Sequence, residues 1–471
     1  MPPDKRRIHL NAFAMNCAGH QSAGLWRHPD DQGFRYTDLD HWIGLARTLE
    51  DAGFDALFLA DVLGIYDVHG GSRDAAVRAG AQVPLGDPML LVPALAAATS
   101  RLGFGVTVSV SYEHPYALAR RFTTLDHLTK GRVAWNVVTG YLSSAAANLG
   151  LGDAQRSGAG PSNQQLPHDE RYAMAEEYLE VCYKLWETSW DEDAVVRDAE
   201  RGVYTDPAKV HDVAHHGTWF DVPGPFLCEP SPQRTPTIFQ AGASSRGKAF
   251  AGKHAEAVFV SGPTTGVVAK SVAGIRAAVA EAGRDPESVT IFVQLAPVVA
   301  ETSSAAKELY ASYLAAASRE GAMALLGGWT GLDLSDVPPG EPLRHVHTDA
   351  GQTALASFTT DDPDREWTID EIAAHLAVGG RGPVAVGSPA EVADEMERWI
   401  DETGADGFNL AYAVTPGTFE QVAELVVPEL RRRGRMPATP PRGTLREVLG
   451  GKGPRADPSH PAGALRTGTS S

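Results

Sequence analysis

Only three cysteines occur in 471 residues, Cys17, Cys182 and Cys228, with no CxxC pair among them. That excludes a disulfide framework and fits reduced thiols. No run of ~18 consecutive apolar residues occurs, and the basic start MPPDKRRIHLNAF passes into a strand pattern without a signal-type apolar core. The expectation is a cytoplasmic protein with no membrane partner. Positive charge is also short: 41 Lys and Arg against 59 Asp and Glu leave a formal charge of −18, so a nucleic-acid backbone would meet a repulsive field. No Gly-x-Gly-x-x-Gly follows a strand and opens a helix, so the chain carries no dinucleotide fingerprint. No strand offers His-x-His, and Cys17 and His20 lack a second Cys/His pair at matching spacing, so no metal site is expected.

What is present is a repeating α/β pattern in a chain that is 43% hydrophobic, enough for a large core. Eight short apolar, β-branched runs stand at 8–15, 55–61, 102–110, 132–139, 236–242, 255–262, 289–299 and 405–414. Most are separated by helical patterns such as DLDHWIGLARTLEDAG, with Asp38 as cap and Gly53 as stop. Runs buried on both faces and alternating with helices imply a parallel sheet, and eight such units fit a closed (β/α)8 TIM barrel. A plain barrel needs about 250 residues. The excess falls in two large insertions, at about 142–233 and 303–385, within a single domain spanning 1–431. The tail, 432–471, is rich in Pro, Gly and Arg and reads as an arm or a partly disordered extension.

In a barrel of this kind the chemistry sits where the strands end. The first strand delivers Asn16, Cys17 and His20; the second Asp61 and then Tyr66. Cys17 and His20 are open to two readings, a nucleophile with its base or a buried thiol beside a polar pocket wall. The segment QAGASSRG is an anion site by construction: Gly242 and Ala243 turn the backbone, Ser244 or Ser245 caps the next helix, and Arg246 enters its first turn. In GRVAWNVVTGY, Asn136, Thr139 and Tyr141 stand near a strand end, and an Asn in an apolar strand costs energy unless it has a partner. The helix DERYAMAEEYLEVCYKLWE turns Leu179, Cys182, Leu185 and Trp186 inward as core, with Tyr172 at its start.

The blocks NAFAMNCAGHQSAGLWRHP, FDALFLADVLGIYDV, YEHPYALARRFTTLDHLTKGRVAWNVVT, HDERYAMAEEYLEVCYKLWE, EPSPQRTPTIFQAGASSRG and DGFNLAYAVTPGTFEQVAELVVPELRRRG resemble the bacterial-luciferase-like, FMN-dependent two-component monooxygenases. The similarity is to the nitrilotriacetate, dibenzothiophene-sulfone, dimethyl-sulfide and long-chain-alkane subgroup. The resemblance implies reduced FMN (FMNH2) from a separate NAD(P)H-dependent flavin reductase, O2 added at the flavin C4a as a hydroperoxide, and a homodimer or homotetramer. It implies that Asp61, Thr107, Asn136, Gly140, Tyr141, Tyr172, Ala241, Gly242 and Ser244 contact FMN. Cys17, His20, Tyr66 and Gln82 fall where the alkane enzyme has its pocket residues, His20 and Tyr66 serving as hydrogen-bonding proton donors. Tyr141 and Leu325 stand where that enzyme has histidines, which weakens the hydrocarbon reading. The blocks GGWTGLDLSDVPPGEPL and WTIDEIAAHLAVGGRGPVAVGSP look closer to the dimethyl-sulfide enzyme, so a small organosulfur substrate is expected. Alternatives are an alkane or aminopolycarboxylate monooxygenase and, from other classes, an F420-dependent oxidoreductase or a non-catalytic flavin-binding protein.

Overall fold

All eight apolar runs become strands. A computed structural model describes residues 6–149, 166–242, 244–346 and 351–468. The strands are β1 (His9–Met15), β2 (Ala56–Ala60), β3 (Gly103–Ser109), β4 (Val133–Val138), β5 (Thr237–Gln240), β6 (Ala257–Val260), β7 (Thr290–Val299) and β8 (Gly407–Leu410). Each pairs in parallel with the next, and β8 returns to β1, so the sheet closes.

Alternation along the strands separates two cores. Phe58, Phe239, Phe259 and Phe292 fill the barrel interior with Phe13 against them, while Leu57, Val106, Trp135, Ile238 and Val258 pack outward under the helices. Phe259 stacks on Phe58 at 4.4 Å. Gly105 on β3 makes room for this plug, since a Cβ there would lie 2.7 Å from the Phe239 ring. The helix Leu39–Ala52 is capped as its sequence requires: Asp38 accepts from the Asp40 amide, and Gly53 closes it in the left-handed region.

The insertions account for the rest. Between β4 and β5 lie the helices Ser143–Leu149 and His168–Glu187 and two short antiparallel pairs, 195–205 and 215–222. Leu179, Cys182, Leu185 and Trp186 are buried on the long helix. Between β7 and β8 lie Ser303–Ala316, Arg319–Thr330, Gln352–Ala356 and Ile369–Leu376. They are followed by a strand, Val384–Gly387, that extends the sheet along the second half of β7.

The tail is ordered through residue 468, where composition alone allowed disorder. Its few apolar residues find the base of the barrel: Leu445 and Leu449 join the interior phenylalanine cluster, and the Leu445 amide donates to the Gly131 carbonyl. Arg446, almost fully buried, pairs with Glu256 at 2.9 Å. Burial alone would raise the Glu256 carboxyl, but the Arg446 charge and hydrogen bond outweigh it and hold it down at about 2. No described helix is long and apolar enough to cross a membrane.

Candidate active site

At the opposite end of the barrel the strand termini surround a cavity of about 320 Å3. Asp61 after β2, Thr107 and Ser109 of β3, Val137 to Tyr141 of β4 and Gln240 to Gly242 of β5 form its floor and one wall. His168, Arg171 and Tyr172 close it from the long helix, and Trp329 and Arg381 from the second insertion. A second cavity, of about 630 Å3, adjoins it, sharing Asp61, Thr107, Ser109 and Tyr112 and adding Gln82, Asp87 and Arg121.

Eight of the nine residues expected at the flavin line the first cavity: Asp61, Thr107, Gly140, Tyr141, Tyr172, Ala241, Gly242 and Ser244. Asn136 stands behind them and is buried. Its Nδ2 donates to Thr107 Oγ1 at 2.9 Å, and its Oδ1 has no partner. Gly140, at φ +66°, takes the left-handed turn after β4 that L side chains rarely adopt, next to cavity-lining Tyr141.

One end of the cavity is built for an anion. Ser244 caps the helix Ser245–His254, accepting from the Gly247 amide at 3.0 Å, so the positive end of that helix faces the turn after β5. His168 Nε2 lies 3.4 Å from Ser244 Oγ, and Arg171 and Tyr172 follow on the same helix face. A Cβ on Gly242 would fall 2.7 Å from Tyr172 Oη and closer still to Gln240 Nε2, so a side chain there would displace both groups. Ala243 lies outside the described residues; Arg246 is exposed in the first turn.

The other end is a hydrogen-bonded chain. Gln82 Nε2 donates to the His20 carbonyl at 3.2 Å, which turns its Oε1 toward Tyr66, whose hydroxyl donates to it at 2.9 Å. The Tyr66 proton is thereby committed, so across the 2.9 Å contact Tyr141 donates to Tyr66. Protons in this chain point away from the cavity, and Tyr141 turns oxygen lone pairs to it. Burial raises both phenols, so both stay protonated.

His20 is buried, and burial drives its imidazole down to about 3, so it is neutral. Gln294 Nε2 approaches Gln21 Oε1, which leaves Gln21 Nε2 to donate to His20 Nε2 at 3.1 Å. The imidazole hydrogen therefore sits on Nδ1. The Cys17 thiol is pushed up to about 12 by burial, so no thiolate forms. Cys17, His20 and Tyr66 line neither cavity, and Gln82 lines the second. Of the two readings open for Cys17 and His20, the geometry favours a buried thiol and a neutral supporting ring. Among the described residues no group of three His, Cys, Asp or Glu is placed to hold a metal ion. Asp61, between the two cavities, is raised to about 7 by burial, with Asp87 adding to the shift and the Val62 amide opposing it.

Residues 12–442 match the family described as Luciferase-like monooxygenase. The chain belongs to that family. This luciferase-like monooxygenase is 50% identical over 463 residues to a dimethyl-sulfide monooxygenase of Hyphomicrobium sulfonivorans, covering 98% of this chain and 94% of that one. It is 48% identical over 450 residues to a long-chain alkane monooxygenase of Geobacillus thermodenitrificans strain NG80-2, covering 95% of each. A crystal structure of a riboflavin lyase with modified FMN and riboflavin superposes with a TM-score of 0.89 at 37% identity, covering 98% of this chain and all of that one. The cavity fits a flavin. Asn136 Oδ1 and Gln240 Oε1 are buried acceptors without donors, suited to the polar edge and hydroxyls of a flavin, and the capped turn suits a phosphate.

Sequence reasoning missed His168, Arg171, Trp329 and Arg381. The first two had a signal, since 168, 171 and 172 share one helical face. Trp329 and Arg381 reach the cavity only through the packing of the second insertion.

Proposed function

We propose that the chain is the oxygenating component of a two-component system. It takes reduced FMN from a separate NAD(P)H-dependent flavin reductase and uses O2 to oxygenate a small organosulfur compound. The observation that supports this best is one cavity with two chemistries, an anion-binding turn at one end and a buried phenol–amide chain at the other.

His168, Arg171, Tyr172, Ser244 and the helix N-terminus would hold the phosphate, and Thr107, Asn136 and Gln240 the polar atoms of the ring and its chain. When bound, the reduced flavin supplies the activation of O2; the protein supplies orientation and the exclusion of water. Tyr66 and Gln82 fix the orientation of Tyr141, which presents an acceptor. Asp61 changes charge near neutral pH and can take up or release a proton at the cavity wall.

The organosulfur reading draws on the similarity to the dimethyl-sulfide enzyme and on Leu325, which is buried beside Tyr66 in an apolar cluster and offers no ring nitrogen. The reductase partner draws on the lack of a dinucleotide fingerprint. The test combines the chain with FMN, NADH, a flavin reductase and a panel of sulfides, sulfones, sulfonates, amines and alkanes, read by product mass spectrometry. Reductase-dependent oxygenation of a sulfur compound is expected. NADH-driven turnover without a reductase, or products only from alkanes, would overturn the reading.

A further inference from the structure

We infer that Arg381 is a substrate-recognition residue, and that the substrate carries an anionic oxygen group, a carboxylate or a sulfonate, in addition to its oxidisable sulfur. The inference rests on the organosulfur reading and deepens it.

Arg381 is held on a loop that can approach the barrel mouth only because glycines flank it. Gly379 and Gly380 adopt φ of +79° and +73°, in the left-handed region. The Gly379 amide donates to Ser22 Oγ at 2.9 Å, and its carbonyl accepts from Gln294 Nε2 at 2.6 Å. A Cβ on Gly380 would collide with Gln21 Oε1, and one on Gly382 with the Gln294 carbonyl. The loop is therefore seated directly on β7 and on the segment after β1, and the arginine it carries lines the cavity.

The guanidinium lies over the Trp329 ring, 5.5 Å from its centroid. Among the described residues it has no carboxylate within ion-pair distance and makes no side-chain hydrogen bond. Two other buried arginines, Arg132 and Arg446, have every guanidinium nitrogen bonded. Arg132 bonds to Thr99, Leu102 and Ala96, and Arg446 to Glu256, Thr235 and Pro454. A guanidinium presents five donors in a fixed fork suited to a carboxylate or sulfonate, and leaving them unmatched in a partly desolvated cavity is costly. A bare dialkyl sulfide or an alkane offers no matching acceptor.

Two features direct this donor to substrate rather than to the flavin phosphate. The anion-binding turn has its own set, His168, Arg171 and Ser244, on the long helix and the turn after β5, whereas Arg381 lies against Trp329 of the second insertion. At the Tyr66–Tyr141 end, where Arg381 exerts its charge on both phenols, the phenolic protons point away from the cavity. Arg381 is the strong donor there.

The test uses two substrates that differ by one charge, 3-(methylthio)propionate and its methyl ester, with FMN, NADH and a flavin reductase. Wild type should prefer the carboxylate by tenfold or more in kcat/KM. Arg381→Met should collapse that ratio toward one through the KM of the carboxylate, and Arg381→Lys should keep part of it. Calorimetric titration of 3-(methylthio)propionate into flavin-free protein should show binding to wild type that Arg381→Met loses. No preference in wild type would overturn the inference, as would a ratio unchanged in Arg381→Met. A tenfold loss of reduced-FMN affinity in Arg381→Met with the ratio retained would overturn it too, by placing the arginine at the flavin. If neither sulfide is oxygenated but the Arg381-dependent calorimetric binding persists, the organosulfur reading fails and the anion assignment is supported.

Discussion

Gly242→Ala is a sharp test of the anion-binding turn. The added Cβ falls 2.7 Å from Tyr172 Oη and nearer still to Gln240 Nε2, against an ordinary contact of about 3.5 Å. Both groups line the cavity, so each must retreat by roughly an ångström, enough to break a hydrogen bond to a bound ligand. Gly242 is not in the left-handed region, so alanine adds no backbone strain and the effect is steric. Hydrogen bonds to charged groups contribute about 1.5–3 kcal/mol each. Losing one therefore weakens binding by roughly 10- to 150-fold. The assay is anaerobic titration with photoreduced FMN and, in parallel, reduced riboflavin, which lacks the phosphate. The wild-type preference for FMN should shrink in Gly242→Ala, with the melting temperature little changed. Unchanged FMN affinity, or equal losses for both flavins, would refute the phosphate placement.

The phenol chain predicts an asymmetry: Tyr66→Phe strands the buried Gln82 Oε1 and should cost about 1–3 kcal/mol in urea unfolding, whereas Tyr141→Phe leaves the Tyr66–Gln82 bond intact and should cost less. Asp61 titrates at about 7 in the fold against 3.8 ordinarily, so its burial penalty is absent below pH 4 and complete above pH 7. Asp61→Asn should accordingly match wild type in melting temperature at low pH and exceed it at pH 8; an equal difference at both would contradict the shift. Leu445→Ala, emptying the base of the barrel, should cost about 2–5 kcal/mol without changing which substrate is oxygenated, checked by unfolding and by product analysis. His20→Phe removes the acceptor of Gln21 Nε2 beside the backbone that holds Gln82 and should raise the ratio of H2O2 to oxygenated product, while Cys17→Ser and chelators leave it near the wild-type value; an unchanged ratio in His20→Phe would show that this supporting ring does not shape the cavity.

How much of this was legible in the chain follows from the range of the interactions involved. Each barrel strand announces itself locally, as a short β-branched run buried on both faces and ended by a turn. Once eight such runs alternate with helices, the parallel barrel and the functional end follow with no knowledge of distant contacts. The residues at strand ends, Asp61, Asn136, Tyr141 and Gly242, were identifiable for the same reason, because backbone continuity alone carries them to the barrel mouth. Tertiary packing decided the rest. Arg381 and Trp329 reach the cavity because three glycines let an insertion loop lie against β7, a contact between segments far apart in sequence. Leu445 and Arg446 look like a disordered tail in composition and become core only because the barrel base leaves a gap of their size and Glu256 leaves a charge to match. The direction of the protons from Tyr141 to Tyr66 to Gln82 is decided by one amide held against the His20 carbonyl, a geometry that only the folded chain contains.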